Sequence, residues 1–108
     1  MSATLDHLNA HRKVIYTSPV LGTMTATRPR IACADGFSMS VQAGVALYSS
    51  PRDDAESYSM VEIGFPSERV DEFMKYAEDP DKPTDTVYAY VPVGIVDAVI
   101  ARHGGVAS

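Results

Sequence analysis

The residues of this chain that could do chemistry are few and stand apart. His7 and His11 are four positions apart with Asp6 beside them, a spacing that puts both imidazoles on one face of a helix. That pair could hold a metal ion, but a structural or catalytic site needs three or four fixed ligands and no third is evident, so a polar terminal segment is the stronger reading. Asp79, Asp81 and Asp85 form an acidic run. A calcium loop of the helix–loop–helix type needs Gly at its sixth position and Glu at its twelfth, whereas the sixth position here is Thr84. A solvated loop is expected. Cys33 lies in a strand-like stretch, where a small buried hydrophobe is commoner than a nucleophile. His103 sits near a helix C-terminus, which favours it electrostatically whatever its role, and no partner nucleophile is suggested. Gly-rich phosphate loops, G-x-S-x-G and H-E-x-x-H are all missing. The expectation is no catalytic residue, no metal and no cofactor.

A set suited to binding remains. Beyond Arg12 in the N-terminal segment, the arginines are Arg28, Arg30, Arg52, Arg69 and Arg102, few for a chain of formal net charge −5. Arg52 follows Ser49-Ser50-Pro51 in a loop, where a guanidinium can fork onto a phosphate. Tyr58, Phe65, Tyr76, Tyr88 and Tyr90 crowd the second half. Tyrosine offers a flat stacking face with a polar tip, and aromatics beside arginine suit a nucleotide-sized ligand. The plainer use of strand aromatics is a sheet face or a core.

Positioning these residues requires a scaffold that the sequence outlines. KVIYT (13–17) and TMTAT (23–27) read as strands separated by Ser18-Pro19 and Gly22. RIACA (30–34), Asp35-Gly36 and FSMSVQ (37–42) read as a hairpin closed by a type I′ turn, with Phe37, Met39 and Val41 on one face. Val45, Leu47 and Tyr48 extend the sheet after Gly44. SSPRDDAES is a polar loop, and YSMVEIGF (58–65) is a strand apolar on both faces. Ser67 and Glu68 open a helix whose stripe is Val70, Phe73, Met74 and Ala77, ended by Asp79-Pro80. TVYAYV (86–91) is a strand, and Pro92 starts a second helix lined by Val93, Val96, Val99 and Ile100 and stopped by Gly104-Gly105. The expected class is α+β: an antiparallel sheet followed by two helices of the C-terminal half packed on one face. Residues 1–12 are a tail, or a short helix docking through Leu5 and Leu8, and residues 13–108 form one domain.

Composition narrows the function classes. The chain has 108 residues, 45% hydrophobic and 21% charged, with one cysteine, a globular balance with no internal disulfide. Residues 1–54 carry net +1 and residues 55–108 net −6. A duplex-DNA binder needs a basic footprint, so duplex DNA is not an expected partner. MSATLDHLNAHRK contains no apolar signal core, and Tyr88–Ala101 is too short and too polar to span a bilayer. A cytoplasmic protein with no membrane partner is expected. A core this small, with strands apolar on both faces, points to a homo-oligomer with ligand sites between subunits.

RIACADGFSMSVQA, SSPRDD, VEIGFPSE and YAEDPDKPTDTVYAYVPVGIVDAVIARHGG together resemble small bacteriophage and prophage proteins, over roughly residues 28–105. Among functional families the chain resembles the Thoeris anti-defence sponges: oligomers with an antiparallel sheet followed by two helices, which hold cyclic ADP-ribose isomers between subunits without hydrolysing them. Some hold cyclic oligonucleotides at a second site. The resemblance implies a ligand gripped by Arg52 and Arg102, by an aromatic from Phe65 or Tyr76, and by a polar group at Asp85 or Thr86. Tyr88 joins this set as a further stacking candidate. The alternative is an anti-CRISPR-like inhibitor that covers a host defence protein with its acidic second half.

Overall fold

The computed structural model describes residues 2–107. Helix α1 (Ala3–Ala10) leads into a ribbon of β1 (Val14–Ser18) and β2 (Gly22–Thr25). The main sheet is antiparallel, in the order β3 (Ile31–Ala32), β4 (Ser38–Gln42), β5 (Met60–Gly64), β6 (Val87–Pro92). A 3₁₀ segment (Asp71–Tyr76) sits between β5 and β6, and α2 (Val93–Arg102) follows β6 directly. The class is mixed α+β, with the C-terminal helix after the strands.

Strand alternation builds the core. Met39 and Val41 of β4, Val61 and Ile63 of β5, and Tyr88 and Val91 of β6 are all buried, and the register pairs Val41 with Ile63, Ile63 with Tyr88, and Val61 with Val91. Val93, Val96, Val99 and Ile100 of α2 meet this face, the stripe expected from the periodicity. The helix stops where expected. Gly104 and Gly105 take positive φ, and the Gly105 N–H donates to Ile100 O while the Gly104 N–H donates to Ala101 O, the paired bonds of a Schellman end.

Four local expectations are corrected. The hairpin over 31–42 exists, but Gly36 alone takes a positive φ (+96°) and Asp35 does not. The Gly36 N–H donates to Cys33 O, so the turn is a type I-like turn with glycine in the left-handed position that follows it, not a type I′ turn. The expected helix at 67–79 is only six residues of 3₁₀. Ser67 is not its cap: its amide and hydroxyl bond Ser38 instead, which pins the chain to β4 and delays the helix to Asp71. With Asp79-Pro80 close behind, too few residues remain for α-helical turns. The apolar stripe still works, because Val70 and Phe73 are three apart and both buried. Residues 43–50 add no strand, since Gly44 (φ +140°) and Ala46 (φ +65°) turn the chain. Pro92 ends β6 and precedes the first residue of α2 rather than occupying it.

The N-terminal segment docks through α1 (Ala3–Ala10). Leu8 is buried and Leu5 packs against the core. Asp97 on α2 accepts from the Ser2 hydroxyl, the Thr4 amide and the Thr4 hydroxyl through one carboxylate oxygen. Beneath α1 lies the buried Arg28, whose guanidinium donates to Leu8 O and Ala43 O while its backbone pairs reciprocally with the Gln42 side chain. A buried charge needs such partners to be tolerated.

Candidate functional site

The aromatic and arginine side chains that come together do so at a corner of the sheet, on a bulge. Val61 pairs with Val91 and Ile63 with Tyr88, so Glu62 faces two residues of β6, Ala89 and Tyr90. Tyr90 takes φ +54°, a left-handed conformation rare for a bulky residue. Its amide leaves the ladder and donates to Tyr48 O at 3.1 Å. A bulge re-aims a side chain in this way. The ring of Tyr90 lies 5.9 Å from that of Tyr48, tilted by 50°, within the range of favourable aromatic pairing.

The opposing wall is a strap made by residues 43–52. The Ser49 hydroxyl accepts from the Gly44 amide, the Tyr48 amide donates to Glu62 Oε1, and the Ser50 amide donates to Met60 O. Arg52 donates through Nε to Leu47 O at 3.0 Å, which holds its guanidinium carbon 5.5 Å from the centre of the Tyr48 ring, a cation–π distance. Among the described residues Arg52 has no carboxylate partner. Tyr48 and Tyr90 remain 38% and 37% exposed. The corner therefore offers two partly open aromatic rings and a guanidinium without a carboxylate partner on one surface.

The other expected site residues are placed elsewhere. Tyr88 is fully buried, packs against Phe73 with the rings tilted by 55° and donates its hydroxyl to Pro83 O. It is a core residue, and burial pushes its phenol up. Thr86 is buried, and its hydroxyl accepts from the Asp79 amide, so it closes the 79–86 loop. Phe65 is exposed, at φ +49°, and its amide donates to Thr86 O. Asp85 is exposed beside it. Phe65, Asp85 and Thr86 thus gather where β5 ends and β6 begins, while Tyr90 and the Tyr48–Arg52 strap lie toward the other end of β6. Tyr76 is half-buried under Lys75, whose ammonium lies 5.3 Å from its ring centre. Arg102 is engaged by Glu72, whose carboxyl it holds below the usual range. Of the expected set, only Arg52 lies in the corner, and the aromatics beside it are Tyr48 and Tyr90.

The remaining titratable clusters make contacts within the fold. His103 bonds Asp35 Oδ2 through Nδ1 at 2.7 Å, faces Glu68 Oε1 at 3.7 Å and stacks on Phe37 at 4.2 Å. This pins the end of α2 to the β3–β4 turn. The Phe37 amide and then His103 hold the Asp35 carboxyl below its usual range. The His7 and His11 rings lie 4.5 Å apart, tilted by 47°, but His7 Nε2 is committed to Pro29 O at 2.9 Å. No group of three or more His, Cys, Asp or Glu placed to hold a metal occurs among the described residues. Cys33 is buried, and its thiol is pushed up by that burial. A hollow of about 670 Å³ lies between Asn9, Arg12, Asp54, Ala55 and Glu56, but its arginine is bonded to Asp54. A smaller one, about 260 Å³, adjoins Asp35, Phe37 and Glu68. Neither these two nor a third of about 390 Å³ beside α1 is lined by Tyr48, Arg52 or Tyr90.

No helix among the described residues is long and apolar enough to cross a membrane. Comparison with protein-family models, with curated proteins and with solved structures finds no match for this chain.

Proposed function

We propose that this chain is a binding protein that sequesters a nucleotide-derived immune signal, a cyclic ADP-ribose isomer or a cyclic oligonucleotide, without cleaving it, and that it works as a homo-oligomer. The observation that carries the reading is the Tyr48–Arg52–Tyr90 corner. A nucleobase stacks on an exposed tyrosine face, and the guanidinium above Tyr48 is placed to fork onto a phosphate beside that base. The strained backbone at Tyr90 supports the reading, because strain is retained where the surrounding structure enforces it and clusters at binding sites. The Glu62 carboxylate accepts from the Tyr48 amide, so a phosphate is expected beside the Arg52 guanidinium and away from that negative charge.

The test is titration calorimetry against a panel of cyclic ADP-ribose isomers and cyclic di- and trinucleotides. A charged hydrogen bond is worth about 1.5–3 kcal/mol, so Arg52→Ala weakens binding roughly ten- to a hundredfold. Ligand recovered intact after heat denaturation supports sequestration. Absence of binding heat with every member of the panel sinks the reading.

One observation favours a second reading, a protein-binding inhibitor. Asp71, Glu72, Glu78, Asp81 and Asp85 are all exposed along the 3₁₀ segment and the loop after it, an acidic strip suited to steering onto a basic protein surface. A host protein captured by the wild type and released when these carboxylates are neutralised decides for it.

A further inference from the structure

The β1–β2 ribbon joins no other sheet, and a two-stranded hairpin alone is marginally stable in water. This one also leaves its apolar side chains uncovered. Ile15 is 63% exposed, Val20 87% and Leu21 57%, with Val14 and Tyr16 exposed beside them. Alternation along a strand ordinarily puts every second residue on the opposite face. Here the register shifts between Val14 and Tyr16, and the bulge at Ile15 leaves three successive apolar residues in solvent. Five large apolar side chains on one ribbon present several hundred Å² of apolar surface, the kind of patch that marks an interaction site.

The ribbon lies with β2 inward. At Gly22 a side chain would meet Val45 and the Asp53 carboxylate, and at Gly44 it would meet Thr25. β1 is therefore the outer strand, with Lys13 at its base and Asp53 beside its tip. From Lys13 to Ala34 there is no Asp or Glu. In a chain of net charge −5, copies repel wherever acidic surfaces meet, and this ribbon is a surface where they need not.

We propose that a second copy of this chain covers the ribbon, β1 against β1 across a two-fold axis, by packing of Val14, Ile15, Tyr16, Val20 and Leu21. A two-fold contact is self-complementary. With the strands antiparallel, Lys13 of each copy lies beside the tip of the other, where it meets Asp53, so unlike charges face each other at both ends. The bulge disfavours strand addition along the β1 edge, and the contact is made by side chains. The proposal rests on the homo-oligomer part of the reading above and not on its ligand; it also seats the second copy next to the strap that carries Tyr48 and Arg52.

Sedimentation velocity without any ligand tests it, on the wild type, Ile15→Lys, Val20→Asp, Lys13→Glu and the charge swap Lys13→Glu with Asp53→Lys. The substituted side chains are exposed, and circular dichroism confirms that each variant is folded. The expected result is a wild-type dimer at micromolar concentration, at least a tenfold weaker dimer for Ile15→Lys, Val20→Asp and Lys13→Glu, and recovery in the charge swap. A wild type that stays monomeric at high micromolar concentration overturns the proposal, as does a dimer indifferent to Ile15→Lys and Val20→Asp. A monomer whose ribbon binds a different purified protein also overturns it. Failure of the nucleotide titrations leaves these outcomes readable, because no ligand is present.

Discussion

Tyr90 is the residue at which local preference and the finished structure disagree most. A tyrosine at φ +54° costs on the order of 1–3 kcal/mol relative to an unstrained backbone. In return its amide reaches Tyr48 O and its ring reaches the Tyr48 ring. Comparison of two truncations separates strain from contact. Tyr90→Gly and Tyr90→Ala both lose the ring, but only glycine is at ease with positive φ. Tyr90→Gly is expected to be more stable than Tyr90→Ala by about 1 kcal/mol, the reverse of their order in an ordinary strand. Both variants are expected to lose the nucleotide binding proposed above. Equilibrium urea unfolding provides the check, and an alanine variant as stable as the glycine one shows that the bulge is not enforced.

At the scale of elements, the turn between β3 and β4 shows how much a dipeptide can decide. Gly36 sits at φ +96°, and a Cβ there would meet nothing within 4 Å. The cost of substitution is therefore backbone strain alone. Gly36→Val is expected to lose about 1–2 kcal/mol, because a β-branched residue resists positive φ; a loss below about 0.5 kcal/mol, the range of an indifferent surface change, refutes that account. This hairpin was legible in the sequence because Asp-Gly and the Phe37/Met39/Val41 alternation point to the same answer. The second helix was legible for the same reason, its stripe and its Gly-Gly stop being consistent. The 3₁₀ segment was not, because the Ser67 hydroxyl that resembles a cap is drawn away by the Ser38 amide, a contact between residues 29 apart. The β6 bulge was not legible either. Tyr88 and Tyr90 are two apart, which in a regular strand gives them one face; the irregularity opposite Glu62 sends one to the core and the other to the corner. That is why Arg52 and Tyr90 could each be named from the sequence while their meeting at Tyr48 could not. No glycine marks the bulge, and Tyr48 reaches it from 42 residues upstream.

At the scale of the whole molecule, α1 closes one end of the core, and the closure is expected to be pH-sensitive. His7 is buried on the inner face of α1. Its Nε2 donates to Pro29 O, and its neighbours are the His11 ring and the buried Arg28. Burial is the largest cause that lowers its pKa below the ordinary 6.5, and the charges of His11 and Arg28 act in the same direction. A histidine whose folded pKa is depressed binds protons more readily unfolded than folded. Stability therefore rises with pH through the window below 6.5 and falls as the medium is acidified from neutrality. The carboxylates of Asp54 and Glu72, held low by Arg12 and Arg102, add losses of the same sign at lower pH, below the ordinary carboxylate range. The two contributions separate by window. Between pH 7 and about 5.5, the loss attributable to His7 is absent from His7→Gln, whose amide can still donate to Pro29 O but cannot be protonated. Thermal unfolding of both proteins across that window is the measurement, with hydrogen exchange at Thr4–Ala10 reporting whether α1 loosens first. A wild type and a His7→Gln variant that lose stability in parallel would remove His7 from the account and leave acid sensitivity to the carboxylates alone.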